Sequence, residues 1–514
     1  MEAVQAIPRE SLSAQARRWL ERLLEQDFTE PFAFAFFSLA FVASRLAWLD
    51  HGYGTDPDAW RVALSAQYLW DTGDYYPSRL PGYPLHEFVT AVGIKGGWIW
   101  TNLTTVFASL AGVYVFAMLA KRLDVPNRGV LVVAFGFAPL LWINSAMTMD
   151  YMWALTFMMA AYVALLDKHG SLAGVMLGLA AGFRITSLYM LLPFWLLLWR
   201  TGQREQLRPL TLTAIALTLG AFTPVIMRYG INFMNFYDEP VPLGEFIKRL
   251  GKDGLGVIGS LALVIALAVS LPRLLRFPRD LARDPHVLVW TSVVAIYFLS
   301  YTRLPHEIAY LIPLFPFGFF LLSRYLSSPV LIALLAVIVA AGFVDVTSPD
   351  DDVGLSTSTF TSAHVGRGML LSDLDTLDGQ MEFAREVRRM TSTNPNIQRP
   401  AVIAAGFIYP ELAMLYKDDL KIDIFRDDKE AISQLSDKGI AHDATLGIDY
   451  VWLLEYDDFQ RLLGEGYTIY YTPDAARSTY AVYGYRPAYY DSAVELPFAR
   501  EGAPWAGGAA TTDR

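Results

Sequence analysis

The chain has 514 residues, no cysteine and a formal net charge of −10, with 54% hydrophobic but only 18% charged residues. A mean hydropathy of +0.32 is too apolar for a water-soluble enzyme of this length, so much of the chain belongs in lipid. Without cysteine neither a disulfide framework nor a thiolate metal site can form, and the acidic balance argues against nucleic acid as a partner.

Residues 1–29 are polar and basic at the start and carry no cleavable signal pattern; they read as a cytoplasmic amphipathic helix. Trp19, Leu20, Leu23 and Leu24 beside Arg17, Arg18 and Arg22 suit an interfacial anchor, and equally an exposed helix. Apolar runs of near-bilayer length then follow at Ala33–Leu49, Trp98–Ala120, Val130–Ala146, Tyr151–Leu166, Leu210–Ile226, Leu255–Leu271, Val287–Leu299, Ala309–Leu322 and Pro329–Val344. The apolar stretch Leu172–Trp199 is interrupted by Arg184, after which comes Pro193, and this predicts two short helices meeting at a break. Residues 30–346 therefore read as an α-helical polytopic membrane domain of about eleven transmembrane helices. With the amino terminus inside, the short inner segments hold Lys121, Arg122, Arg128, Lys168, Arg200, Arg204, Arg208, Arg273, Arg276, Arg279, Arg283 and Arg324, a positive-inside bias. The 50–97 loop and everything after about Thr347 then fall outside.

The 50–97 loop is the most informative stretch. Asp50, His51, Asp56 and Asp58 follow the first span directly, and Trp60, Ala63, Leu64, Gln67, Tyr68 and Trp70 form a helical stripe suited to the membrane interface. Asp56 and Asp58 flank Pro57 at the start of that helix, where a carboxylate serves equally as a cap or as a catalytic group. Further along, Asp150 precedes the fourth span and Arg184 sits at the break. Charged groups at such depth point to function, although the two would also satisfy each other as an ion pair. Arg303, His306 and Glu307 lie near the same face.

After Val344 the pattern changes to short apolar strands at Pro400–Gly406, Asp423–Phe425, Asp449–Glu455 and Thr468–Thr472. Helical stretches intervene at Gly379–Met390, Glu411–Lys417, Lys429–Ser436 and Asp457–Leu463. This alternation predicts a soluble extracytoplasmic α/β domain over 347–500 with a largely parallel sheet. No glycine-rich phosphate loop follows any of these strands, and residues 501–514 read as a disordered tail.

The acidic first loop, Asp150 at the start of the fourth span, GLAAGFRITSLYMLLPF (Gly178–Phe194) and YLIPLFPFGFFLL (Tyr310–Leu322) occur in an order that resembles polyprenyl-phosphate-dependent glycosyltransferases of the GT-C fold. The resemblance covers roughly residues 1–345. TDPDAWR (Thr55–Arg61) is similar to the Asp-Pro-aromatic segment of oligosaccharyltransferase catalytic subunits. The length and the Asp150 context look more like protein mannosyltransferases and lipid A aminoarabinose transferases. The Trp-Trp-Asp acceptor motif of oligosaccharyltransferases is absent, and the Asp-Glu pair of mannosyltransferases is replaced by Asp56-Pro57-Asp58.

The resemblance implies a cell-membrane enzyme that moves a sugar from a polyprenyl-phosphate donor to a glycan, lipid or protein acceptor on the outer face. Asp56, or else Asp58, would take the acceptor proton, Asp150 matches the second acidic position, and a single base would invert the anomeric centre. Arg184 and Arg303 are the candidates for the donor phosphate. A divalent metal held by Asp56, Asp58, Asp150, His86 or Glu87 stays open, since carboxylates scattered in sequence define no site, and His86-Glu87 suits capping or packing of the loop better. The competing reading is a secondary transporter or lipid flippase. It predicts internal pseudo-symmetry, which the sequence does not display.

Overall fold

The computed structural model describes residues 24–234, 242–305, 307–347, 364–425 and 435–496. Residues 1–23, His306, most of the predicted Lys429–Ser436 helix and the tail lie outside them.

Prolines set where many helices begin. α1 (Pro31–Arg45), α2 (Pro57–Thr72) and α3 (Pro84–Gly93) each open on one, where the missing N–H breaks no helical hydrogen bond. α3 continues through a short turn into α4 (Gly97–Arg122). The expected span Val130–Ala146 is broken instead into α5 (Arg128–Phe137) and α6 (Pro139–Ser145), bent by 56°, because Pro139 pushes Ala138 into extended backbone. The fully buried Arg45 fills this break. It donates to the Gly136 carbonyl and to the Ser145 hydroxyl, and lies 3.7 Å over the Phe41 ring.

α7 (Tyr151–Leu166) leads to the predicted pair α8 (Gly170–Phe183) and α9 (Leu191–Arg200), joined by a short turn that starts after Arg184. α8 packs on α10 (Leu207–Tyr229) through Gly174, Gly178 and Gly182. A Cβ at Gly174 would fall 2.4 Å from the Leu210 carbonyl, and one at Gly178 2.6 Å from Leu217 Cβ, so only glycine permits this approach. The glycine run ends just before Arg184 and fixes where that residue stands.

The expected span Leu255–Leu271 forms one apolar helix, with a sharp bend at its start. α11 (Leu243–Leu255) and α12 (Val257–Val269) meet at 95° across Gly256, whose φ of +76° favours glycine. The Asp345 carboxylate caps α12, accepting from the Val257 and Ile258 amides at 2.8 and 2.9 Å. α13 (Pro285–Tyr301), α14 (Leu314–Tyr325) and α15 (Ser328–Ala340) complete the bundle, with the Phe116 ring stacked on Phe135 and Phe320 in its core. Phe32, Phe36, Leu39, Leu261 and Val264 face outward, as a lipid-facing surface requires. Among the described residues two helices, Pro84–Arg122 and Arg204–Tyr229, are long and apolar enough to cross a membrane, or four if each bent pair is one span. The other apolar helices have 10–17 residues, below the ~20 of a straight crossing.

The chain leaves the bundle through β1 (Val344–Thr347), paired antiparallel with β2 (His364–Arg367). After α16 (Met369–Thr393) comes a six-stranded sheet of β3 (Ala401–Ala404), β4 (Lys421–Ile424), β5 (Gly439–Asp443), β6 (Ile448–Val451), β7 (Thr468–Tyr471) and β8 (Val494–Glu495), with α17 (Tyr409–Leu415), α18 (Tyr456–Gly464) and α19 (Pro473–Tyr483) between strands. Its order is β4-β5-β6-β3-β7-β8. β6, β3, β7 and β8 run parallel as expected, while β5 pairs antiparallel with both neighbours, so the sheet is mixed. This domain sits on the first loop, and that overturns one expectation. Of the Trp60, Ala63, Leu64, Gln67, Tyr68 and Trp70 stripe of α2, all but the exposed Trp70 are buried inside the protein, where α17 packs across the helix.

Candidate active site

Asp56 is the N-cap of α2; its Oδ1 accepts the Asp58 amide at 2.9 Å. Asp58 lies one residue inside the helix and is held by two guanidinium groups, Arg61 at 3.0 Å and Arg79 Nε at 2.9 Å. Arg79 then reaches Asp150 with Nη2 at 2.8 Å, and Arg184 takes the other oxygen of Asp150 at 2.7 Å. The result is a continuous chain of alternating charge, Arg61–Asp58–Arg79–Asp150–Arg184, whose last three members are buried. The expected Asp150–Arg184 pairing is present and extended by Arg79. A buried charge needs such compensation, which makes each link costly to remove.

Tyrosines orient the arginines. The Arg79 guanidinium lies 3.8 Å from the Tyr83 ring centre, and that of Arg184 lies 4.0 Å from Tyr151 and 4.6 Å from Tyr310. Arg79 Nη1 is buried without a hydrogen-bond partner among the described residues. Two cationic forks, each with one edge on Asp150, suit an anionic group.

Beside this chain lies a cavity of about 290 Å³, lined by Thr55 and Asp56, by Leu140, Ile143, Asn144 and Met147, by Lys252 and Asp253 of α11, by Glu307, Ile308 and Ala309, by Asp345 and Val346, and by Arg367, Met369, Ser372, Asp373 and Thr376. Burial pushes the Asp56 carboxyl well above its ordinary range, and the neighbouring Glu307 and Asp58 carboxylates push it further. Glu307 is raised in the same way, by burial and by Asp58, while its side chain caps the turn at Ile308–Leu311 through the Ala309 amide at 3.1 Å. A carboxylate whose proton affinity is raised by burial and that opens on a cavity is, once deprotonated, a stronger base than an exposed one.

The other predicted residues have different places. Glu87 is fully buried, accepting from the Tyr75 hydroxyl and from the Ser78 amide at 2.6 Å, so it clamps the loop that carries Arg79. His86 packs edge-on against Phe183. Arg303 is exposed in the turn after α13 and does not line the cavity. His306 is outside the described residues. Among the described residues no three His, Asp or Glu side chains converge to hold a metal ion. Sequence reasoning missed Arg79, Tyr83 and Asp373. Arg79 had a signal, being one of two arginines in the 50–97 loop and set among prolines and tyrosines in YYPSRLPGYP.

No protein-family model matches the sequence, and no curated protein matches it. Two solved structures are similar in fold. The crystal structure of ArnT from Cupriavidus metallidurans in the apo state aligns with a TM-score of 0.51 at 16% identity, covering 75% of this chain and 85% of that one. The structure of the same protein bound to undecaprenyl phosphate aligns with a TM-score of 0.50 at 15% identity, covering 76% and 85%. The chain has the GT-C fold expected from the order of its motifs.

Proposed function

We propose that this protein is an inverting glycosyltransferase that moves a sugar from a polyprenyl-phosphate donor to an acceptor at the outer face of the membrane. Asp56 is the base, and Arg79 and Arg184 hold the donor phosphate. The observations that carry the reading are a raised carboxyl at the cavity wall that feels the Arg79 charge, and two buried arginines anchored on Asp150. The fold shared with a protein that binds undecaprenyl phosphate supports it. Asp56 fits the base role better than Asp58, whose oxygens are committed to Arg61 and Arg79.

In the reaction the acceptor hydroxyl loses its proton to Asp56 as its oxygen bonds to the anomeric carbon. The bond from that carbon to the phosphate oxygen breaks with its electron pair going to the phosphate. The arginines stabilise the charge that collects there. One displacement inverts the anomeric centre. The reading includes about eleven crossings, with bent pairs and short helices sharing the span, and an extracytoplasmic α/β domain. Incubating the purified chain with a polyprenyl-phosphate sugar and a panel of acceptors tests it. Release of polyprenyl phosphate with an inverted linkage by NMR is expected; a retained linkage, or no release with any acceptor, would overturn it.

A further inference from the structure

We propose that α16 is a positioning device for the base, in which Asp373 holds Thr55 and through it the carboxylate of Asp56; this rests on the role assigned to Asp56 above. The segment from Asp50 to Asp56 has no regular structure. Gly52 and Gly54 have φ of +102° and +149°, conformations that leave the backbone without a helical or strand ladder. Its place is set from outside. On the bundle side the Tyr53 carbonyl accepts the Thr148 amide at 2.8 Å, and the Gly54 carbonyl accepts Trp60 Nε1 at 2.8 Å.

On the other side one helix supplies three further anchors, besides Asn102 Nδ2, which donates from the bundle to the Gly52 carbonyl at 2.7 Å. Thr55 Oγ1 donates to Asp373 Oδ1 at 2.5 Å, Gln380 Nε2 donates to the Thr55 carbonyl at 3.2 Å, and His51 Nδ1 meets Asp378 at 2.8 Å. Asp373 and Gln380 are seven residues apart and share one face of α16. Thr55 is the residue before the base, so its rotation carries the Asp56 side chain with it. Asp373 also lines the same cavity as Asp56. Burial pushes its carboxyl up to about 6, against the Thr55 hydrogen bond, which lowers it. A 1 Å displacement of a reacting group can cost ~100-fold in rate, so a latch at this distance acts on turnover.

The test uses the purified full chain with a polyprenyl-phosphate sugar donor. D373A is expected to lower kcat at least ~10-fold with the donor KM and the melting temperature nearly unchanged. D373N keeps a carbonyl acceptor for Thr55 and should stay within ~3-fold of wild type. T55V should match D373A, and the T55V/D373A double variant should be no slower than either single change, since both remove one bond. Wild-type kcat in D373A, a D373N variant as slow as D373A, or additive losses would overturn the proposal. A second readout needs no turnover: amide hydrogen exchange over residues 51–56 should speed up in D373A and not in D373N. If the wild-type chain transfers no sugar, the base role of Asp56 fails while exchange still decides the latch, and unchanged exchange in D373A refutes it.

Discussion

At the scale of single residues, Asp56 and Asp58 show how neighbouring carboxylates acquire different work. Asp58 sits between two guanidinium groups and is an anchor, whereas Asp56 meets carboxylates and a cavity. The raised Asp56 carboxyl sets the sign of the pH dependence. A base acts when deprotonated, so kcat/KM should rise with pH through a limb lying above the ordinary aspartate value of ~3.9. Glu307→Gln removes one of the negative neighbours and should shift that limb to lower pH; an unmoved limb would show that Glu307 does not act on the base. The ion chain makes a second prediction. Arg79→Ala leaves Asp150 with one partner and Asp58 with one, and should destabilise the protein by about 3–5 kcal/mol by thermal unfolding in detergent. The Asp150–Arg184 pair was legible in the sequence because ionisable residues at membrane depth must find each other. Arg79, the middle link, was not, because a loop residue carries no periodicity that tells where it points.

Among the elements, breaks rather than continuous helices build the site. Ala138 and Arg184 each interrupt an apolar stretch, Gly256 divides the polar α11 from the apolar α12, and the residues around these breaks line the cavity or belong to the ion chain. The Arg184 break was visible because a charge and a proline mark it. The Gly256 break falls at the edge of an apolar run, where hydropathy marks the boundary but not the 95° bend. The glycine run of α8 gives the third prediction: Gly174→Val should cost about 1–3 kcal/mol, since the Leu210 carbonyl it would strike is backbone and cannot rotate away. In the α/β domain, burial pushes Glu411 up to about 8, with its Oε2 unpartnered among the described residues. Folding then favours the protonated form. Its contribution is whole below about 4.5 and is lost as pH rises towards about 8, at no more than about 1.4 kcal/mol per pH unit. Glu411→Gln should therefore flatten the fall in melting temperature between those pH values, and an equal fall in both proteins would refute this.

For the whole molecule, the α/β domain is seated on the loop that carries the base. Thr55 reaches Asp373, Lys417 Nζ donates to the Ile94 carbonyl at 3.1 Å, and the Leu435 amide donates to the Pro77 carbonyl at 3.2 Å. These contacts explain why the α2 stripe, which looked like an interfacial helix, is buried: in sequence a helix face that meets protein and one that meets lipid carry the same residues. The division into an apolar bundle and an acidic α/β domain was legible from composition, whereas the seam between them, where the cavity lies, was not. The most direct measurement of the central claim is single-turnover sugar transfer by Asp56→Asn and Asp58→Asn chains loaded with a polyprenyl-phosphate sugar. The account predicts that Asp56→Asn binds the donor as wild type does but transfers no sugar, while Asp58→Asn retains measurable transfer. Transfer at the wild-type rate by Asp56→Asn would contradict it.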